Sequence, residues 1–268
     1  MTFATTGGDA SGIVSDDFNA PTLNTSLWTW IDPLADGTFQ LTGTGTSDAW
    51  ANISVPAGLA HEVYSTGIQA SHLLQAANDT DFEVEVKFES MLTLQYQEEG
   101  IVIKQDDGNF LRLEFFSTAS STHIYARGFT PTTSPTYNYT TIGANNMAPL
   151  YMRVKRQGDQ WTQSYSTDGT SWTDMPAFTH VLNVSAVGPY CGNATGGTSP
   201  PHALSIDYFF NTASPIVPED ALAGPIEVSV VPDYDLTNCT TTVDYTFHIE
   251  AGIEEIRGYE IIFSIDPA

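Results

Sequence analysis

Carboxyl groups held in pairs can divide acid and base work or grip a hard cation, so the acidic positions come first. Glu83, Glu85 and Glu89 alternate with Val84, Val86 and Phe88 in FEVEVKFE, and on an extended chain that spacing sets the acids, with Lys87 among them, on one face. A strand face carrying four charges reads as solvated surface. Glu98-Glu99 in QEEG reads as an exposed turn from which Glu99 reaches a sugar hydroxyl. Asp16, Asp17 and Asp207 fall on what should be the first and last strands of one domain. Their hard oxygens suit Ca2+ in a structural role, or they cap turns. The histidines 61, 72, 123, 180, 202 and 248 show no ligand spacing and are expected on the surface or in loops. The sequence contains no Gly-x-Ser-x-Gly elbow, no His-Glu-x-x-His and no glycine-rich phosphate loop.

The chemistry left is recognition. Aromatic faces stack on the C–H surfaces of pyranose rings, while amides, carboxylates and Arg take the hydroxyls. Strand alternation sets Arg112 and Glu114 opposite Leu111, Leu113 and Phe115, sets Tyr151, Arg153 and Lys155 opposite Met152 and Val154, and groups Trp161, Gln163 and Tyr165. The carbohydrate-binding candidates are Trp50, Gln97, Glu99, Arg112, Glu114, Arg153, Trp161 and Tyr165. Bland readings stand beside these: Arg112 with Glu114 as a cross-strand ion pair, and Trp161 or Trp172 as a core plug.

The elements that must position these residues centre on Phe82 to Phe116, read as three successive strands. Asp106-Asp107-Gly108-Asn109 between Ile101-Val-Ile and Leu111, Leu113, Phe115 reads as a hairpin turn supplied with positive-φ positions. Residues 1–13 are small and polar and are expected to be disordered. Further strands are expected at Thr38–Thr46, Trp50–Val55, Thr122–Arg127, Tyr151–Lys155, Trp161–Ser166, Val184–Cys191 and Leu204–Phe210, with a loop over Thr130–Tyr139. No long helix is apparent. The first domain is therefore placed at residues 14–212, a proline-rich linker at 213–225, and a partial module at 226–268.

Eight Lys and Arg against 32 Asp and Glu give a formal charge of −24. That balance argues against nucleic acid or anionic membrane as partner and favours neutral or cationic ligands, or it simply maintains solubility. No segment has the roughly 18 apolar residues of a membrane span. Cys191 and Cys239 fall in different domains, so an internal disulfide is not expected. Low Lys, abundant Thr and Tyr and many short strands suit an extracellular or cell-surface protein, with no signal peptide in this chain. The sequons Asn24, Asn52, Asn78, Asn138, Asn183, Asn193 and Asn238 are glycosylation candidates.

SDDFN…LNTSLWTW, EEGIVIKQDDGNFLRLEFF, YMRVKRQGDQWTQSYSTDGTSW and VGPYCGN…LSIDYFF together resemble the concanavalin A-like lectin/glucanase superfamily, nearest to sandwich modules appended to bacterial glycosidases. The resemblance implies an all-β fold of two curved antiparallel sheets, a jelly roll, with a concave face that in many relatives binds polysaccharide. Catalytic glucanases of that superfamily carry Glu-x-Asp-x-x-Glu on one strand; Glu83-Val-Glu85-Val-Lys87-Phe-Glu89 has the alternation without the motif. The tail, DYTFHIE…IRGYEIIFSIDPA, is similar to the first strands of cohesin-type and other immunoglobulin-like modules. Too short for a whole sandwich, it implies a chain that continues past Ala268 or a neighbour supplying strands.

The expectation is thus a non-catalytic carbohydrate-binding module of a secreted or surface multidomain protein, whose bent sheet displays a recognition surface rather than opposed catalytic carboxyls. The alternatives are a structural or adhesive subunit making intermolecular strand contacts, and a glycoside hydrolase.

Overall fold

The computed structural model describes residues 10–64, 67–194, 198–220, 230–232 and 245–247. Two compact units divide the chain, Met1–Asp220 and Ala221–Ala268. In chain order the first contains β1 (Trp28–Ile31), β2 (Thr38–Thr42), β3 (Trp50–Val55), β4 (Val63–Tyr64), β5 (Gly67–Ile68), β6 (Ser71–Ala76), β7 (Phe82–Phe88), β8 (Gln97–Asp106) and β9 (Asn109–Ser117). It continues with β10 (Ser121–Phe129), β11 (Thr136–Ala144), β12 (Leu150–Gln157), β13 (Gln160–Ser166), β14 (Thr173–Asp174), β15 (Phe178–Thr179), β16 (Ala186–Asn193) and β17 (His202–Asn211). No helix occurs among the described residues. In the second unit the described part is one antiparallel pair, β18 (Val230–Pro232) with β19 (Tyr245–Phe247). The other residues of the expected partial module lie outside the described ones.

The strands of the first unit form two large antiparallel sheets, ordered β1-β6-β16-β8-β9-β10-β11 and β14-β13-β12-β7-β17-β3-β2, with β15 beside β13, and a separate β4-β5 pair. The all-β sandwich expected from the alternation is present. One core cluster takes Val84, Val86 and Phe88 from β7, Ile101 and Ile103 from β8, Leu111, Leu113 and Phe115 from β9, and Met152 and Val154 from β12, so each strand contributes every second residue. The stretch read as three successive strands is split between sheets: β7 pairs with β12 and β17, whereas β8 and β9 pair with each other.

Four expectations change. Order begins before residue 14, because Ile13 is buried in the core cluster and the Asn78 N–H donates to Ser11 O at 2.6 Å. The Asp106–Asn109 turn uses no positive φ; Asp106 Oδ1 accepts from Gly108 N at 2.8 Å and from Asn109 Nδ2 at 2.9 Å, so a side chain supplies what backbone strain was expected to supply. Residues 136–144, placed mostly in a loop or left unassigned, form edge strand β11 against β10. The described histidines are all buried, each against a polar neighbour. His72 Nδ1 lies 2.7 Å from Ala70 O, and His61 lies between Asp36 at 2.8 Å and Asn193 at 3.2 Å.

Candidate functional site

On the outward face of the seven-stranded sheet, β8 to β11 line a hollow of about 500 Å³ with Tyr96, Glu98, Arg112, Glu114, Phe116, Tyr125, Thr136 and Tyr139. Cross-strand register explains the grouping. Glu98 stands opposite Phe116, Gly100 opposite Glu114 and Val102 opposite Arg112; Glu114 in turn stands opposite Tyr125, and Tyr125 opposite Tyr139. Facing residues share a side of the sheet. On the far flank Gly192 opposes Glu98 and Tyr190 opposes Gly100.

Gly100 has a specific task in that row. A Cβ there would stand 2.7 Å from Glu114 Cα and 2.8 Å from Glu114 Cβ. Its bare backbone lets the Glu114 side chain lie across β8, where Tyr190 Oη donates to it. Arg112 Nε lies 3.3 Å from the other Glu114 oxygen, and Arg112 Nη1 donates to Val63 O at 2.9 Å. Glu98 Oε2 lies 3.9 Å from Arg112 Nη1 and accepts no hydrogen bond. Two buried carboxyls on neighbouring strands therefore share one guanidinium. They sit side by side on one sheet face rather than opposed across a cleft.

Burial first, then the Glu114 charge, raises the Glu98 carboxyl well above the glutamate range. Burial likewise raises Glu114, with Arg112 opposing, and raises the Tyr190 hydroxyl. Protonated folded-state acids contribute stability that is present below the unfolded value of 4.5 and is lost as pH rises through the higher folded value. His72, held down to about 4 chiefly by burial, acts oppositely: its contribution is present above the unfolded 6.5 and is lost as pH falls towards 4, up to roughly 3 kcal/mol. Thermal melting should therefore peak near the overlap, roughly pH 5 to 6. Glu98→Gln should flatten the alkaline limb and His72→Gln the acid limb; a melting temperature rising steadily from pH 5 to 9 would contradict the Glu98 assignment, and an acid limb unchanged in His72→Gln the other.

The eight sequence candidates scatter over this framework. Arg112 and Glu114 enter the hollow. Glu99 faces inward, with Ser90 Oγ donating to it at 2.6 Å and His202 Nε2 lying 3.3 Å away without a hydrogen bond. Gln97 holds loop backbone, accepting from Thr93 N at 2.7 Å and donating to Pro201 O at 2.7 Å. Trp161 is wholly buried and donates to His180 O at 2.9 Å, and Tyr165 packs against the core cluster. Arg153 lies in the other sheet, 2.6 Å from Glu85 and with its guanidinium 3.8 Å from the Trp172 ring centre. Trp50 is half-buried on β3 and donates to Asp48 at 3.0 Å. Glu98, Tyr96, Phe116, Tyr125 and Tyr139 are functional candidates that sequence reasoning missed. Glu98 itself, expected in a solvated turn, is buried in a strand.

The aspartates divide differently from the expectation. Asp16 accepts from Trp28 Nε1 at 2.7 Å and Phe18 N at 2.8 Å, and Asp17 accepts from Asn19 N at 3.3 Å. Asp207 instead joins Asp48 and Asp220, with one oxygen of each within 4.8 Å of the others. Asp220 Oδ1 and Glu219 Oε1 are buried there without a donor. Among the sequons, Asn138 and Asn193 are buried, their Nδ2 groups donating to Pro176 O at 3.3 Å and Pro200 O at 2.6 Å, so neither amide is available for a glycan. Asn24, Asn78 and Asn183 are exposed, Asn52 is half-buried, and Asn238 lies outside the described residues.

A family profile described as "Protein of unknown function (DUF1349)" matches residues 36–204. No curated protein sequence matches. Among solved structures the chain is similar to the GH43 BlXynB protein from Bacillus licheniformis, with TM-score 0.56 and 15% identity over 73% of this chain and 38% of that one. It is similar also to a GlcNAcα1-4Gal-releasing endo-β-galactosidase from Clostridium perfringens, with TM-score 0.53 and 12% identity over 74% and 61%. A third likeness is to xylan β-1,4-xylosidase from Bacillus halodurans, with TM-score 0.51 and 16% identity over 74% and 38%. The chain thus spans little more than a third of the length of the first and third of these proteins. Identities this low establish the sandwich fold alone.

Proposed function

Because the chain belongs to the family described as protein of unknown function (DUF1349), whose description carries no activity, we propose its role from the hollow itself: the first unit is a carbohydrate-binding module of a secreted or cell-surface multidomain protein. The observation that carries this is the pairing of an aromatic wall with an unsatisfied polar floor. Phe116, Tyr125 and Tyr139 stand with ring centres 5.7 to 5.8 Å apart. Beneath them Glu98 Oε2 is buried without a hydrogen-bond donor, and Arg112 Nε meets Glu114 at 3.3 Å as an ion pair without hydrogen-bond geometry. A hydroxyl both donates and accepts, so one sugar ring can satisfy the orphaned acceptor of Glu98 and take a bond from the Arg112 guanidinium while its C–H face covers aromatic carbon. The names of the similar structures, xylosidase and galactosidase, are compatible with a saccharide ligand.

A glycan array followed by calorimetric titration tests this reading. Tyr125→Ala and Tyr139→Ala should each weaken the identified ligand about five- to tenfold, an aromatic contribution near 1 kcal/mol. Binding that is unchanged in both, or no glycan bound at all, would reject the hollow as the site. Hydrolysis is a second reading, favoured by two carboxyls lining one hollow. Against it, Arg112 and Tyr190 already hold Glu114, and a retaining mechanism needs its carboxyls at roughly 5 Å on either side of the scissile bond. Release of reducing ends that ceases in Glu98→Gln would establish hydrolysis in place of simple binding.

Asp48, Asp207 and Asp220, with the donorless Asp220 Oδ1, have the ligand chemistry for a hard divalent cation. Calcium in a structural role fits there better than at Asp16: Lys87 Nζ takes one oxygen of Asp207 and Ala49 N one of Asp220, whereas both oxygens of Asp16 are engaged. Added calcium should raise the melting temperature by several degrees, and Asp220→Asn should abolish the shift. An equal shift in that variant would place the ion elsewhere.

A further inference from the structure

Charge bookkeeping at the floor of the hollow narrows the ligand further, and the step rests on the saccharide reading. Arg112 is the guanidinium that faces both Glu98 and Glu114. It also meets Val63 O, the face of Tyr125, whose ring centre lies 4.9 Å from Arg112 Cζ, and the Phe129 ring at 6.0 Å. Arg127, the next cation along the sheet, reaches the hollow only at its rim: Nη1 donates to Tyr125 Oη at 3.3 Å, Nε donates to Ser134 O at 3.1 Å, and the guanidinium lies 4.7 Å from the Tyr64 ring centre. Glu114 receives both Tyr190 Oη and the nearer side of Arg112. Glu98 is therefore the carboxyl left over. It is 4% exposed, and its Oε2 has no hydrogen-bond donor.

A buried carboxyl in that position carries a proton or meets a cation. The wall above it is made of Tyr96, Phe116, Tyr125 and Tyr139, and aromatic rings beside a carboxylate form the environment that stabilises an ammonium ion through both charge pairing and ring quadrupoles. A ligand carboxylate would instead meet Glu98 and the −24 charge of the whole chain. We propose that the hollow selects saccharides bearing a protonated amine, an amino sugar whose ammonium group pairs with Glu98 beneath the Tyr125 and Tyr139 rings. Neutral hydroxyls satisfy the floor; an ammonium also replaces the proton that Glu98 otherwise holds. The groups that face Glu98 and set that exchange are Arg112 and Glu114 on β9, Tyr190 on β16 and the nearby Glu62.

The test is calorimetric titration of the full chain at 0.15 M salt with three probes: a fully deacetylated β-1,4-glucosamine oligomer, its N-acetylated counterpart, and a neutral xylose oligomer of equal length. The deacetylated oligomer should bind at least tenfold tighter than the acetylated one, and Glu98→Gln should bring that ratio close to one. This substitution removes one of 32 acids, so diffuse attraction to the chain barely changes and only a local pairing can account for the loss. Titration in buffers of different ionisation enthalpy, at a pH below the amine's own pKa so that the free oligomer is already an ammonium, should show close to one proton released per amine bound by the natural chain, a readout that stands even if the variant does not fold. Equal or tighter binding of the acetylated or neutral oligomer, or no proton released, overturns the amine assignment while leaving the saccharide site intact. Absence of binding by all three, together with an empty glycan array, removes the saccharide reading and this inference with it.

Discussion

Replacing Arg112 with leucine should cost about 3–5 kcal/mol of stability at pH 8 and measurably less at pH 5. The guanidinium faces two carboxyls that are themselves 4% and 1% exposed, so its removal leaves buried charge with no counter-ion. The carboxyls can answer by taking up protons, which is easier in acid, and the penalty therefore grows with pH. Urea midpoints at the two pH values measure this. Glu98→Gln placed in the same chain should recover part of the loss, because the two changes act on one network and are not additive. A cost below about 1 kcal/mol at both pH values would mean that the floor is open to water.

Trp161→Ala should cost a comparable amount, about 3–5 kcal/mol, for a different reason. Its indole is wholly buried, meets the Phe82 ring at 6.0 Å and 72°, and satisfies His180 O. The substitution leaves a large cavity and an unpaired carbonyl, and the one guanidinium against the ring, Arg156 at 5.4 Å from its centre, does not change charge between pH 5 and 8, so the cost should be nearly independent of pH. Saccharide affinity should stay within about twofold of the natural chain, because Trp161 belongs to β13 in the other sheet. Binding lost with Trp161 while the fold persists would move the site out of the hollow. Measured together, the Arg112 and Trp161 substitutions separate electrostatic from packing contributions.

The contrast between these two residues shows what the sequence carried. Alternation gave the faces of β7, β9 and β12 correctly, because each strand buries one side and a one-residue slip would expose its whole apolar set. Arg112 and Glu114 could be placed together for that reason. Alternation could not say which sheet a polar face belongs to, so Arg153, Trp50 and Tyr165 were grouped with residues of the other sheet. Trp161, Gln163 and Tyr165 do share a face, but it is the one turned to the core.

Glu98 was hidden by a β-bulge. Pairing counted straight back from Asp106 opposite Asn109 sets Glu99 opposite Phe116. The extra residue between Lys104 and Asp106 shifts the register by one and sets Glu98 there instead. One inserted residue thus puts Glu98 rather than Glu99 on the hollow's side of the sheet, with both acids buried. Two signals were nevertheless readable. Glycines 188 and 192 flank Tyr190 at a spacing of two on β16, and Gly100 follows Glu98 at the same spacing on β8. Small residues in that pattern mark a sheet face over which side chains and a covering loop can lie close. Strand β11 was missed because its apolar signal is weak: it is an edge strand, with Tyr139 57% exposed.

The central claim is that the outward face of β8 to β11 is where a saccharide docks. Amide chemical-shift mapping of the full chain with a bound oligosaccharide tests it most directly. The largest shifts should fall on Tyr96, Glu98, Phe116, Tyr125 and Tyr139 and on their strand neighbours. Shifts concentrated instead around Tyr151, Arg153 and Trp172, on the outward face of the other sheet, would contradict it.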